Sequence, residues 1–252
     1  MSVPFEPYAH QNKVALKTII ERNDLVVATG TGSGKTESFL LPILHRLETA
    51  HAAGDLQDRV YGLVVYPMNA LAEDQRRRLK TMLENTPFTF GRLTGDTKKA
   101  GKRLTSGPEV LTREEMSERP PHILITNYPM LDRLLLLPKY AKLFNIQPDF
   151  IVLDEAHSYE GAKGREISLL LRRVREAAVE KPSRPPIYMA LSATLGDPDD
   201  TDGMKRYTMD LFSPPAENAN GFDVVRPERE SGKVVLEKLP LTESASSPEG
   251  AS

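Results

Sequence analysis

Five short runs of apolar, mostly β-branched residues are spaced along the chain, and each run is continuous rather than alternating with polar positions. Such a run predicts a strand that is covered on both faces, because a strand with one wet face would show a polar residue at every second position. The predicted strands are Asp24–Ala28 (DLVVA), Tyr61–Tyr66 (YGLVVY), His122–Thr126 (HILIT), Phe150–Leu153 (FIVL) and Ile187–Leu191 (IYMAL).

Segments with helical periodicity lie between these runs. Strands that alternate with helices need crossover connections, so the pattern predicts an α/β, doubly wound domain with a mostly parallel β-sheet and helices on both faces. The polar stretch Thr97–Glu118 predicts loops with one short helix at Thr112–Glu118. The remaining predicted helices are His10–Arg22, Lys35–Leu47, Asn69–Glu84, Pro129–Leu137 and Gly161–Val179.

The character of the chain changes after Phe212. Residues 213–252 contain five prolines, many Ser, Glu and Asn residues, and only two short apolar pieces. The final SASSPEGAS has too little apolar surface to order itself. We therefore expect one domain over residues 1–212 and a partly disordered linker over residues 213–252.

Composition removes several classes of function. The 252 residues carry 33 Lys and Arg against 35 Asp and Glu, a net charge of −2, which excludes a polybasic nucleic-acid binder but allows a groove lined by amides and a few arginines. The absence of cysteine excludes disulfides, Cys-ligated metal and a thiol nucleophile. No apolar stretch is long enough to span a bilayer and no leader is apparent, so we expect a cytoplasmic protein without a membrane partner.

A glycine-rich loop, TGTGSGKT, follows the first predicted strand and precedes a helix. In that setting backbone N–H groups and the helix N-terminus can bind phosphate, Lys35 can reach phosphate oxygens, and the Thr36 hydroxyl can ligate Mg²⁺. The strict phosphate-loop pattern has glycine where this chain has Thr29, a position that shapes the turn. The predicted nucleotide contacts are Thr29, Gly30, Thr31, Gly32, Ser33, Gly34, Lys35 and Thr36.

Two further motifs follow strands. Asp154 and Glu155 come directly after Phe150–Leu153, where Asp154 can hold Mg²⁺ through water and Glu155 can orient or deprotonate the attacking water. Taken alone, such an acidic pair equally fits a plain helix N-cap. Ser192-Ala193-Thr194 follows the last predicted strand, and ligands in such sheets collect at the carboxyl ends of strands.

TGTGSGKT, DEAH and SAT, in this order and spacing, resemble motifs I, II and III of superfamily 2 DEAD/DEAH-box helicases, and the strings around them resemble large bacterial helicases of DNA repair and phage defence. The resemblance implies a RecA-like lobe that uses ATP and Mg²⁺. It implies catalytic roles for Lys35, Asp154 and Glu155. It also implies that His157 pairs with Ser192 and Thr194 and couples nucleotide state to nucleic-acid binding.

The resemblance extends to elements that contact single-stranded nucleic acid in the family. It implies sequence-independent backbone contacts, which do not by themselves separate DNA from RNA, and DNA is favoured on the resemblance. Gln11 occupies the place of the adenine-reading Q motif, although a lone Gln on an opening helix also fits a solvated position. The implied nucleic-acid contacts are Pro67 and Asn69 (motif Ia), Thr94 and Gly95 (TGD element), and Thr126 and Asn127 (motif Ib).

The resemblance covers roughly residues 5–212, which is one lobe, whereas family helicases use two. We find no Q-x-x-G-R-x-x-R string of a second lobe. Two hypotheses follow: an ATPase lobe of a DNA helicase completed by a second lobe in cis or in trans, and a standalone nucleotide- and nucleic-acid-binding module without meaningful turnover. A P-loop kinase or GTPase does not explain DEAH followed by SAT.

Overall fold

A computed structural model describes residues 8–28, 34–67, 69–99, 107–180, 184–193, 200–215 and 221–226, and for residues 69–74 it describes the backbone only. Eight strands form one sheet in the order β4-β3-β5-β2-β6-β7-β1-β8, and every neighbouring pair is parallel. The strands are β1 (Asp24–Ala28), β2 (Gly62–Tyr66), β3 (Phe90–Leu93), β4 (Glu109–Val110), β5 (Ile123–Asn127), β6 (Phe150–Leu153), β7 (Ile187–Ser192) and β8 (Phe222–Val225).

Helices connect the strands as crossovers. Two short 3₁₀ helices, Pro138–Leu143 and Ala156–Ser158, follow α5 and β6, and a π-helical turn, Lys17–Glu21, follows α1. The α-helices are α1 (Ala9–Leu16), α2 (Lys35–Ala52), α3 (Asn69–Met82), α4 (Arg113–Glu118), α5 (Tyr128–Leu136), α6 (Ala162–Ala177) and α7 (Thr201–Phe212).

The core is divided by the sheet into two apolar layers. Consecutive strand residues point to opposite faces, so Val64 packs with α1, α2 and α3, while its neighbours Leu63 and Val65 pack with α5, α6 and α7. The central strands β2, β5, β6 and β7 are buried along their whole length. This burial explains their continuous apolar sequence and confirms the predicted α/β class.

The register brings the carboxyl ends of the strands level along one edge of the sheet. Tyr66 at the end of β2 pairs with Asn127 at the end of β5, and Ala28 at the end of β1 pairs with Ser192 at the end of β7. Asp154 follows β6 between these two pairs. The sequence motifs that follow different strands therefore share one edge.

Four elements were missing from the sequence prediction: β3, β4, α7 and β8. The last of these lies beyond residue 212, where we expected the linker to begin, yet it pairs with β1 as an edge strand of the sheet. Lys17 and Asn23 hold it there by hydrogen bonds of 2.6 and 2.9 Å to Asp223 Oδ2. Residues 216–220 and 227–252 of the predicted linker lie outside the described residues. Within the part of the chain that the structure describes, no helix is both long and apolar enough to cross a bilayer.

Candidate nucleotide and nucleic-acid site

The predicted phosphate-binding loop ends at the start of α2. Gly34 is the N-cap of this helix and has a left-handed backbone with φ 75°, a conformation that favours glycine. Lys35 and Thr36 form the first turn, so they lie at the positive end of the helix. The predicted contacts Thr29, Gly30, Thr31, Gly32 and Ser33 lie outside the described residues.

Lys35 and Glu155 are brought together by the fold. Lys35 Nζ lies 3.3 Å from Glu155 Oε1, and the two side chains are only 11% and 20% exposed. Glu155 has a left-handed backbone with φ 48°, which is uncommon for a residue with a side chain, and its N–H donates to Asp154 Oδ1 at 2.8 Å. The tight turn after β6 thus brings the Glu155 carboxylate to the start of α2 and holds the Asp154 carboxylate next to it.

Asp154 is 7% exposed, and this burial raises its pKa to about 6 because a buried carboxylate loses hydration. The charge of Glu155 adds to the rise, while the Glu155 amide and Lys35 oppose it. Tyr66 Oη is buried nearby and has no hydrogen-bond partner among the described residues. Burial raises the Tyr66 pKa, and the Asp154 charge adds to that rise.

These groups fit Mg²⁺. The Asp154 and Glu155 carboxylates and the buried Thr36 hydroxyl are hard oxygen donors, the kind that Mg²⁺ prefers. The described ranges contain no group of three or more His, Cys, Asp or Glu residues arranged to hold a metal ion by themselves. That is compatible with Mg²⁺, which usually takes one or two protein carboxylates and completes its shell with water and substrate phosphate.

A second contact joins the turn after β6 to the end of β7. His157 Nδ1 lies 2.8 Å from Ser192 Oγ and 3.4 Å from Glu155 Oε2. Lys35, Glu155, His157 and Ser192 therefore form an unbroken series of polar contacts across three strand ends. Thr194, the other predicted partner of His157, lies outside the described residues.

Gln11 lies directly against Gly34, the residue that precedes α2. Its side chain is 1% exposed, donates from Nε2 to Gly34 O at 2.8 Å, and accepts at Oε1 from Tyr8 N–H at 2.8 Å. The alternative of a solvated Gln on the opening helix is therefore wrong. The contact with Gly34 gives this residue a position beside the predicted nucleotide site.

The turn after β3 is held by a residue that the sequence analysis missed. The Arg113 guanidinium donates to Thr94 O at 2.9 Å, to Gly95 O at 2.6 Å and to Thr97 O at 2.9 Å. Arg113 thus occupies three carbonyls of the turn. Gly95 itself is exposed at the edge of the sheet. The sequence carried no signal for this contact, since Arg113 lies 18 residues away at the start of α4.

Two of the predicted nucleic-acid contacts are buried. Thr94 and Thr126 have no exposed surface, and their hydroxyls donate to Asp96 Oδ1 and to Leu93 O respectively. Their hydroxyl protons are thus used inside the protein, and the two residues shape the turns rather than face solvent. Asn127 caps α5 by accepting from Met130 N–H at 2.9 Å.

Pro67 is half-buried at the end of β2, and Asn69 begins α3, though its side chain is outside the described part. The turns that contain the implied contacts therefore follow three strands, β2, β3 and β5, that are not consecutive in the chain but lie in one half of the sheet. The residues predicted to bind nucleotide follow β1 and β6, which lie in the other half of the sheet.

A family model described as DEAD/DEAH box helicase matches residues 8–201. The chain belongs to this family. Among curated helicase relatives, the chain is 29% identical to the Druantia protein DruE of Escherichia coli over 89% of its own length and 18% of DruE. It is 30% identical to the ATP-dependent helicase Lhr-Core of Methanocaldococcus jannaschii over 76% of this chain and 22% of the relative. The chain thus spans about a fifth of the length of these two proteins.

Solved structures of superfamily 2 helicases share the fold. The DUF1998 helicase MrfA bound to DNA superposes with a TM-score of 0.62 and 25% identity, covering 87% of this chain and 27% of MrfA. The DEAD-box helicase Mss116 bound to ssRNA and UDP-BeF superposes with a TM-score of 0.68 over 90% of this chain and 41% of Mss116; at 21% identity it supports the fold alone. The chain thus has the RecA-like fold of these helicases.

Proposed function

We propose that this DEAD/DEAH box lobe binds and hydrolyses ATP with Mg²⁺, grips the backbone of single-stranded DNA, and couples the two events as the N-terminal part of an ATP-dependent DNA helicase. The observation that carries the proposal is the series of contacts from Lys35 through Glu155 and His157 to Ser192. It connects the phosphate-binding end of α2 to two other strand ends, so a change at one end has a physical route to the others.

Each residue of the nucleotide site has a role in the proposal. Lys35 contacts the terminal phosphates, Thr36 and Asp154 hold Mg²⁺, and Glu155 orients the attacking water and takes its proton. When held there, Mg²⁺ would neutralise charge that develops on the phosphate oxygens. Gln11 and the main-chain amides of residues 29–34 complete the nucleotide contacts.

A second RecA-like lobe, in cis or in trans, is part of the proposal. Cationic groups that reach a transferring phosphate from outside the P-loop are worth about 10³–10⁵ in rate in P-loop enzymes. The lengths of the helicase relatives leave ample room for such a lobe, since the chain spans 18% and 22% of DruE and Lhr-Core. We therefore expect the lobe alone to bind Mg-nucleotide weakly and to turn it over slowly.

DNA is preferred to RNA as the bound strand. The solved MrfA structure at 25% identity contains DNA, whereas the Mss116 structure, which contains ssRNA, resembles this chain in fold alone. Contacts from the turns that contain Gly95 and Asn127 to the backbone of a strand would be independent of base sequence.

The test is ATP hydrolysis by the 252-residue chain with and without single-stranded DNA, with Glu155→Gln as the blank. Turnover above the blank that rises with DNA supports the proposal, and an oligoribonucleotide of the same sequence in parallel tests the preference for DNA. Nucleotide and DNA binding with no turnover above the blank would favour the alternative of a binding module that lacks turnover by itself. If the wild-type chain does not bind nucleotide at millimolar ATP, both the proposal and the binding-module alternative are wrong.

A further inference from the structure

A groove of about 520 Å³ lies between α4, α5 and the 3₁₀ helix Pro138–Leu143, outside the nucleotide site. Such a volume is within the range of pockets that take small organic ligands and exceeds what a lone ion needs. Four cationic residues line it, together with two carboxylates. The cations are Lys99, Arg113, Arg133 and Lys139, and the carboxylates are Glu114 and Glu118.

Three of the four cationic side chains are able to bind an anion. Arg113 is occupied by the carbonyls of the turn after β3, but Lys99, Arg133 and Lys139 are exposed and have no ion-pair partner within the described ranges. Lys139 Nζ lies 4.9 Å from the centre of the Tyr140 ring, an aromatic contact that leaves its charge in place. Glu114 and Glu118 make the groove mixed in charge, and the cations outnumber them.

The groove opens beside the two turns that are proposed to hold the nucleic-acid backbone. Lys99 follows the Thr94–Thr97 turn by two residues, and Arg113 binds the carbonyls of that turn while also lining the groove. On the other side the lining residue Met130 donates its N–H to the cap residue Asn127. The groove is therefore joined to both turns, through Arg113 on one side and Met130 on the other.

We propose that this basic groove binds the phosphate backbone of the single strand where it continues beyond the turns after β3 and β5. The ligand class is a polyphosphate backbone, read through its charge and without base recognition. The proposal rests on the function proposed above, because it assigns a further part of the path of the same strand. It adds Arg133 and Lys139 to the contacts, neither of which belongs to a motif identified in the sequence.

The test is the salt dependence of single-stranded DNA binding by the full chain, measured by fluorescence anisotropy with labelled oligodeoxythymidylates of a short and a longer length. The groove variant is Arg133→Gln with Lys139→Gln. The matched control is Lys142→Gln with Arg206→Gln, which removes the same charge from exposed positions that do not line the groove. Lys142 is on the same 3₁₀ helix as Lys139, so local helix effects are controlled as well.

Loss of two phosphate contacts should reduce the slope of log Kd against log salt by about 1.4 for the longer oligonucleotide and weaken binding roughly tenfold at low salt. The short oligonucleotide should bind the groove variant and the wild type alike, and the control should match the wild type at both lengths. A thermal melt of each variant checks that the fold is intact. If the groove variant melts early, Lys139→Gln alone should lower the slope by about 0.7.

The outcomes separate the two proposals. A wild-type chain that binds neither oligonucleotide overturns the proposed DNA-binding function. A wild-type chain that binds both, with the groove variant indistinguishable from the control, leaves that function standing and overturns the groove. Equal loss for both lengths also overturns it, because the groove would then not lie beyond the turns.

Discussion

Lys35 and Glu155 are separated by 120 residues in the sequence and joined by an ion pair of 3.3 Å. The amine is therefore engaged with a carboxylate that also belongs to the proposed hydrolytic machinery. A phosphate oxygen that contacts Lys35 must compete with Glu155 for it. The ion pair therefore limits how available the Lys35 amine is to phosphate and the Glu155 carboxylate is to the attacking water.

Glu155→Gln should raise the affinity for ATP while it removes turnover. The substitution releases Lys35 and removes a negative charge that faces the phosphates; since partly exposed ion pairs are worth about 1 kcal/mol or less, we expect a gain of up to about fivefold. Lys35→Ala should abolish detectable binding. Titration of a fluorescent ATP analogue measures both.

The control for this pair is Glu160→Gln, which makes the same charge change at an exposed position five residues further on. It should leave affinity unchanged. Weaker nucleotide binding by Glu155→Gln than by the wild type would show that the ion pair does not restrain Lys35.

Gly34→Ala should destabilise the fold and weaken nucleotide binding. An added Cβ would lie 2.2 Å from Gln11 Nε2, and the backbone has φ 75°, so both collision and strain act against it. Gly54→Ala is the matched control, because it has φ 71° and nothing within 4 Å of the added Cβ. We expect a loss of about 1–2 kcal/mol at Gly54 and a larger one at Gly34.

A double-mutant cycle separates the two causes at Gly34. Gln11→Ala removes the atom that collides, so the combined variant should recover part of the stability lost by Gly34→Ala. Chemical denaturation measures each corner of the cycle. Additive losses would mean that Gln11 and Gly34 are not in contact.

Ser192→Ala should uncouple nucleotide from DNA. The hydroxyl is 2.8 Å from His157 Nδ1, and its removal interrupts the series of contacts at its last member. We expect nucleotide affinity to stay near that of the wild type, while the change in DNA affinity caused by a non-hydrolysable ATP analogue shrinks severalfold. Anisotropy of a labelled single strand with and without the analogue measures this coupling; an unchanged ratio would argue against the route through His157.

Asp24 should make the fold less stable as pH rises. Burial raises its pKa to about 7, against 3.8 for the unfolded residue, so the folded protein binds more protons between these values. Its contribution to the free energy of unfolding therefore falls as pH rises from about 4 to about 7, by on the order of 4 kcal/mol at most. Asp24→Asn keeps the oxygen that accepts from Tyr188 N–H at 2.8 Å. The variant should be more stable than the wild type at pH 8, and in urea denaturation it should lack this part of the pH dependence. A free energy of unfolding that changes with pH as in the wild type would refute the assignment.

The sequence was most informative where a strand is buried on both faces. Asp24–Ala28 and Phe150–Leu153 were predicted with the bounds that the structure shows, because central parallel strands are continuous in hydrophobicity. Phe90–Leu93 contains Gly91 and Arg92, and Glu109–Val110 is only two residues long, so neither showed that pattern. Phe222–Val225 is an edge strand with two half-buried positions, and its surroundings resemble a linker in composition.

The residues of the candidate site also differ in how well the sequence alone predicts them. The motif residues could be proposed from the sequence because their spacing from strand ends is local. The contacts of Gln11 with Gly34 and of Arg113 with the Thr94–Thr97 turn depend on how separate elements pack, and a single sequence carries no record of that packing. Burial of Thr94 and Thr126 likewise follows from the neighbouring strands rather than from the residues themselves.

The parallel sheet also determines where a label or a surface tether can be attached to the protein. All eight strands run the same way, so the edge at which they start faces away from the residues proposed to bind nucleotide and nucleic acid. The exposed pair Asp58 and Arg119 lies at that edge, ahead of β2 and β5. A dye or surface tether attached there would leave the working edge open, which makes this pair the natural anchor for watching single molecules bind DNA.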